Sequence, residues 1–137
     1  GSVDPIPIAF MLTEMRFRGL LWRVCEVAYA LISIYVYGRE PALTLGTSQV
    51  SLTYWRKQFG NQTVKLLLAT FDDIENYKVC CAYLQSKKNA TIDEKIVYYN
   101  LRPSVVYVKN FYANLAFLSR VLDDERMELK RRNRQGV

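Results

Sequence analysis

The sequence contains no histidine. That absence removes Ser-His-Asp triads, Cys-His dyads and the H-E-x-x-H metalloprotease at one stroke, so any catalysis must rest on carboxylates, tyrosine, lysine or hydroxyls. Cysteine is scarce as well. Cys25, Cys80 and Cys81 are the only three, the last two are adjacent, and no C-x-x-C pair offers a zinc site. Cys25 lies in an apolar stretch and reads as a small core residue, and no spacing supports a bridge from it to Cys80 or Cys81. No apolar run is long enough to cross a bilayer: the longest, Val24 to Tyr37, is about 14 residues and holds Glu26. No segment has the form of a signal peptide. Strand patterns are weak, and no N-G or D-G hairpin turn, internal repeat or low-complexity tract occurs. Neither a metal nor a cofactor is expected.

What is present is half apolar, with ten tyrosines in 137 residues, enough for one domain with a substantial core. The formal net charge is +6. Much of it sits in Lys130-Arg131-Arg132-Asn133-Arg134, after Asp123-Asp124-Glu125. Acid before base suits a helix C-terminus, so 123–137 reads as a charged helix end and tail behind a domain spanning 3–122, and nucleic acid is not expected as a partner. Gly1-Ser2 reads as an expression scar, and on that reading the native start is expected to be missing and the chain to be a piece of a longer polypeptide.

Along the chain, Val3 to Pro7 reads as extended, and Phe10, Met11, Glu14 and Phe17 mark a short helix ending at Gly19. Apolar residues from Leu20 to Tyr35 then recur at helical spacing. Because nearly every face of this second segment is apolar, it is expected to be the central helix. Further helices are predicted over 51–59, 63–70, 74–85 (Val79, Ala82 and Tyr83 inward) and from the capping-box sequence Thr91-Ile92-Asp93-Glu94 to Asn100. A last helix follows Pro103, carrying Val106, Val108, Phe111, Leu115, Leu118 and Val121. The fold class is all-α, with six or seven helices.

The stretch Leu43 to Ser51 organises the rest. Gly46 frees the backbone, and Thr47, Ser48 and Gln49 then present two hydroxyls and an amide. A core has little use for three polar side chains in a row, whereas a cleft gripping a hydroxyl-rich ligand does. Among acids, Glu14 lies between apolar neighbours, where partial burial raises a carboxyl's pKa and keeps it protonated as a general acid. The alternative is a surface glutamate paired with Arg16 or Arg18. Glu26 is the rival, or else a buried structural carboxylate held by an arginine such as Arg23. Glu40 is a third candidate, placed at the surface. Gln49 can hold a sugar hydroxyl or N-acetyl group, or equally cap loop backbone. Tyr98-Tyr99-Asn100 offers aromatic faces and an amide, though two core tyrosines and a helix-ending Asn fit the same residues. Tyr54-Trp55 is more simply core.

Thr13-Glu14-Met15-Arg16-Phe17, an apolar helix, and then Gly46-Thr47-Ser48-Gln49 resemble, in order and spacing, the family-51 peptidoglycan glycosyltransferases. Leu45 to Gln49, Asn76 to Leu84 and Tyr98-Tyr99-Asn100 are similar to the G-x-x-Q, N-x-x-x-A-A-x-Y-L and A-Y-N segments of soluble lytic transglycosylases. The resemblance spans roughly residues 10–118. Met15 stands where the glycosyltransferases carry a second acid, and the Glu-Ser pair of lytic transglycosylases is missing. It implies a lysozyme-like domain that cleaves peptidoglycan glycan strands. Glu14 would be the acid, and Thr47, Ser48, Gln49, Tyr99 and Asn100 would position the sugars. Either the acetamido group assists, giving an anhydro product, or Asp72 or Asp73 serves as partner carboxylate for hydrolysis. Such an enzyme is expected in the bacterial periplasm or cell wall, as a toxin or effector domain with an immunity protein or as a phage lysin. Two other classes fit the residues: a non-catalytic or glycosyltransferase-like module binding the lipid-linked precursor, and a helical interaction domain with a basic tail for nucleic acid or membrane.

Overall fold

The computed structural model describes residues 3–136. The Gly1-Ser2 reading therefore lies outside the described residues. The fold is all-α: seven α-helices, one short 3-10 turn and a two-stranded hairpin occur among the described residues. The helices are α1 (Pro5–Phe17), α2 (Leu20–Tyr35), α3 (Leu52–Phe59), α4 (Thr63–Ala69), α5 (Asp73–Leu84), α6 (Ile92–Tyr99) and α7 (Val105–Gln135). The hairpin pairs β1 (Thr44–Leu45) with β2 (Val50–Ser51), antiparallel, with Leu45 opposite Val50.

Local chemistry sets most boundaries. Asp72 accepts from the N–H groups of Ile74 and Glu75 at the start of α5. Thr91 accepts from Glu94 at the start of α6, and Ser104 from Tyr107 at the start of α7. Each satisfies a donor that the first helical turn leaves free. The extended reading of Val3 to Pro7 is corrected by the same logic. Asp4 caps α1 through Ile6, and Pro5 and Pro7 fall in the first turn, where a missing N–H leaves no helical bond unmade.

Two apolar clusters form the core. Ala30, Leu45, Val50, Trp55, Leu66 and Val79 belong to one, and Phe10, Cys80, Leu84, Ile96, Tyr107 and Phe111 to the other. Tyr83 and Tyr99 pack against both. Helix α5 supplies Val79 to the first and Cys80 and Leu84 to the second, so α5 is the central helix.

The expectation that the second helix is central is overturned. Only Glu26 and Ala30 of α2 are buried, while Leu21, Trp22, Tyr29 and Tyr35 face outward. Cys25, on that outward side, is exposed rather than core, and all three cysteines are free thiols. Ala82 on α5 and Val106 and Val121 on α7 are exposed as well. The boundary drawn at 122/123 has no counterpart in the backbone, because α7 runs through it unbroken to Gln135.

Candidate active site

Helix α1 is pinned to α7 by Thr13, whose hydroxyl donates to the Ala9 carbonyl (2.7 Å) and accepts from Asn114 Nδ2 (3.1 Å). That anchor turns the next residue, Glu14, toward Tyr107. The Tyr107 phenol donates to Glu14 Oε1 at 2.9 Å, and its ring stacks on Phe17. Burial raises the Glu14 carboxyl above its ordinary value. The Tyr107 hydrogen bond and the Arg18 charge partly offset this, and the Glu26 charge adds to it. Tyr107 is itself pushed far upward, first by burial and then by Glu14, so its phenol remains a donor.

Glu26 reaches the same region from the inner stripe of α2 and is 7 % exposed. Gln49 Nε2 lies 3.2 and 3.4 Å from its two oxygens, and Arg18 makes an ion pair with it at 3.8 Å. Burial raises Glu26 too, against the lowering influence of Arg18, Gln49 and Arg23. Two carboxylates with raised pKa values therefore share one arginine, each held by a neutral hydrogen-bond donor.

Gln49 is the pivot of this arrangement. It is the one non-glycine residue with positive φ among the described residues (52°). Such strain persists only where the surroundings over-determine it, and they do. Gln49 Nε2 also donates to the Gly46 carbonyl at 3.0 Å, Oε1 accepts from the Thr44 hydroxyl at 2.7 Å, and the backbone N–H closes the turn onto Gly46. The turn is anchored from below by Asn76 of α5, whose Oδ1 accepts from both the N–H and the hydroxyl of Ser48.

The hydroxyls of this turn do not form the floor of an open cleft. Thr47 and Ser48 are buried, and the Ser48 hydroxyl is spent on Asn76. Ser48 and Gln49 proved useful to the interior because Asn76 and Glu26 meet them there. Thr47 Oγ1 is buried without a partner. Tyr99 stacks on Phe10, with ring centres 4.2 Å apart, and its phenol donates to the Ser48 carbonyl, so it braces the turn from the core side. Asn100 is half-buried and caps the following loop through Arg102 N–H.

The other candidates fall elsewhere. Glu40 is exposed and paired with Arg56. Asp72 is committed to the α5 cap, and Asp73 lines an apolar groove with Met11, Met15 and Tyr77. The carboxylate whose charge is felt at Glu14 is Glu26. Trp55 is fully buried, and the Tyr54 hydroxyl meets that of Tyr98 at 3.4 Å. No three His, Cys, Asp or Glu side chains converge on a metal-sized site among the described residues.

Sequence reasoning missed Tyr107 and the Glu26–Gln49 contact. The first was within reach, since counting back one turn from Phe111 puts Tyr107 on the same inward stripe of α7. The second joins residues 23 apart through a hairpin the sequence does not announce. No family model matches the chain, and comparison with curated proteins and with solved structures gave no significant match.

Proposed function

We propose that the chain cleaves the glycan strand of peptidoglycan between N-acetylmuramic acid and N-acetylglucosamine, with Glu14 as the general acid. One observation carries this reading: a half-buried glutamate with a raised pKa, hydrogen-bonded to a phenol and within range of the charge of a second raised carboxylate. In its protonated form, which the raised pKa favours, Glu14 can deliver its proton to the leaving glycosidic oxygen. Glu26, aligned by Gln49 and Arg18, is the carboxylate available to stabilise positive charge on the sugar ring or to activate water. The order of the motifs around Glu14, Gly46–Gln49, Asn76 and Tyr99 supports the same assignment. Ser48 and Tyr99 act indirectly, by fixing the turn that holds Gln49, Thr47 is buried within that turn, and Asn100 remains the candidate at the rim.

Under this reading the protein works in the bacterial periplasm or cell wall, as an effector with an immunity protein or as a lysin. The test is mass spectrometry of purified peptidoglycan after incubation with the wild type, Glu14→Gln and Glu26→Gln. Anhydro-muropeptides from the wild type, absent with Glu14→Gln, are expected for a lytic transglycosylase. Reducing-end products that depend on both glutamates are expected for a muramidase. Intact glycan from a folded wild type would overturn the proposal and favour a module that binds glycan or its precursor without cutting it.

A further inference from the structure

Helix α2 is built inside out. Its two charged residues, Arg23 and Glu26, lie on the stripe that also carries Val27, Ala30, Ser33 and Ile34, and this stripe faces the protein. The remaining surface, through Leu21, Trp22, Val24, Tyr29, Ile32 and Tyr35, faces outward without one charged side chain. Leu21 is 79 % exposed and Trp22 56 %. A solvated helix normally shows the opposite pattern, with charges out and apolar groups in. An apolar face of this size on the outside marks an interaction surface.

Charge decides among its occupants. Arg16 stands ahead of the N-terminal end of α2 and Arg39 just past its C-terminal end, while Glu26 is turned inward and ion-paired with Arg18, and Glu40 is paired with Arg56. Arg18 lies over the Trp22 ring, 5.8 Å from its centre, at the edge of the apolar face. The chain as a whole carries +6. An apolar strip edged by Trp and Tyr and bracketed by arginines matches a bilayer interface, where rings settle among the headgroups and guanidinium groups meet lipid phosphates. With 16 residues, α2 is too short to span a bilayer, and no helix of the described residues is long and apolar enough to do so. We propose that α2 lies in the plane of an anionic membrane surface with its outward face sunk into the interface. This is independent of the chemistry assigned to Glu14.

The test is co-sedimentation of the full chain with phosphatidylcholine vesicles, with and without phosphatidylglycerol. Binding is expected with the anionic vesicles, falling on addition of salt, and much weaker with phosphatidylcholine alone. Leu21→Gln and Ile32→Gln, at exposed positions where the melting temperature should stay unchanged, are expected to weaken it by about tenfold each, the order expected when a large aliphatic side chain leaves an apolar medium. Trp22 emission is expected to shift to the blue on binding, a response lost in Trp22→Phe, because Trp55 is already buried. The idea fails if neither vesicle sediments the protein. It also fails if both glutamine variants bind like the wild type while neutralising 130–134 abolishes binding, which would assign the contact to the basic tail. A concentration-dependent dimer dissolved by the same two substitutions would overturn it in favour of a second copy covering the face.

Discussion

Replacing Asn76 tests whether the hairpin turn is held as described. Its side chain is fully buried and makes four hydrogen bonds: Oδ1 accepts from the N–H and hydroxyl of Ser48, and Nδ2 donates to the carbonyls of Thr70 (2.9 Å) and Asp72 (2.8 Å). In Asn76→Ala the Asp72 carbonyl keeps the backbone N–H of residue 76 as a donor, and the Ser48 hydroxyl can rotate. The Ser48 N–H and the Thr70 carbonyl lose the partners described and cannot reach water. At about 1–3 kcal/mol for each orphaned buried group, with a small cavity added, the loss is about 4 kcal/mol. That is a large share of the roughly 5–15 kcal/mol by which a domain of this kind is stable. Asn76→Asp preserves shape and the two acceptor bonds, but points an oxygen at two carbonyl oxygens within 3 Å. At neutral pH it should cost at least as much as alanine. Near pH 4 it should recover in part, because a protonated carboxyl can donate to one of those carbonyls. Urea denaturation of both variants and the wild type at pH 7 and pH 4 measures this directly. An alanine variant within about 1 kcal/mol of wild type, or an aspartate deficit that does not change with pH, would refute the reasoning.

Glu14→Gln should make the protein more stable at pH 7. A carboxyl with a raised native pKa binds more protons folded than unfolded, so its contribution to stability falls as pH rises from the unfolded carboxylate range through the folded value, and stays low above it. Thermal melts should show the gap between wild type and variant closing below about pH 4, the reference range of an unfolded glutamate, whereas a gap independent of pH would count against the burial of this group. Tyr107→Phe removes a bond that favours the charged form of Glu14, so the alkaline limb of kcat/KM, which reports loss of the acid's proton, should move to higher pH. Stability should drop by about 1–3 kcal/mol, the range for leaving a buried acceptor without its donor. An unmoved limb in a folded, active variant would mean that another group supplies the proton.

Most of the helices were legible because their starts are local events. Asp72, Thr91 and Ser104 cap with their own side chains, and such bonds involve residues two or three apart. The hairpin was not legible, because two-residue strands carry no period, and its turn is closed by Gln49 in a strained left-handed conformation where glycine or asparagine is usual. Gly46 was read correctly as a turn, yet its reason lies 30 residues further on. A Cβ there would stand 2.8 Å from the Thr70 carbonyl and collide with the Asn76 amide, the same amide that holds Ser48. Polar residues in the turn were taken for ligand groups because their partners, Glu26 and Asn76, come from two other helices.

Helix α2 exposes the deeper limit. Periodicity reveals that a segment is helical and which residues share a face, but the choice of face is made by what the rest of the chain offers. Arg23 and Glu26, three apart, share one face of α2, yet the apolar residues around the rest of the helix made it read as buried on nearly every side. The usual inference sends that face to water. Here the interior offered Gln49 to Glu26, and Arg18 completed the pair from the edge, so the charged stripe turned inward and the apolar one was left outside. A carboxylate is expensive to bury, and a sequence that spends free energy on burying Glu26 while leaving Leu21, Ile32 and Tyr35 in water is stable only if something favours both halves of the exchange. The inward half is favoured by the hydrogen bonds and ion pair at Glu26 and, under the membrane proposal, the outward half by an apolar medium against α2. The catalytic and membrane proposals thus meet on opposite faces of one helix. Glu26→Leu separates them: it should relieve the buried charge and abolish any glycan cleavage that needs a second carboxylate. It should leave vesicle binding through Leu21, Trp22 and Ile32 intact, and loss of both together in a folded variant would show that the two faces do not work independently.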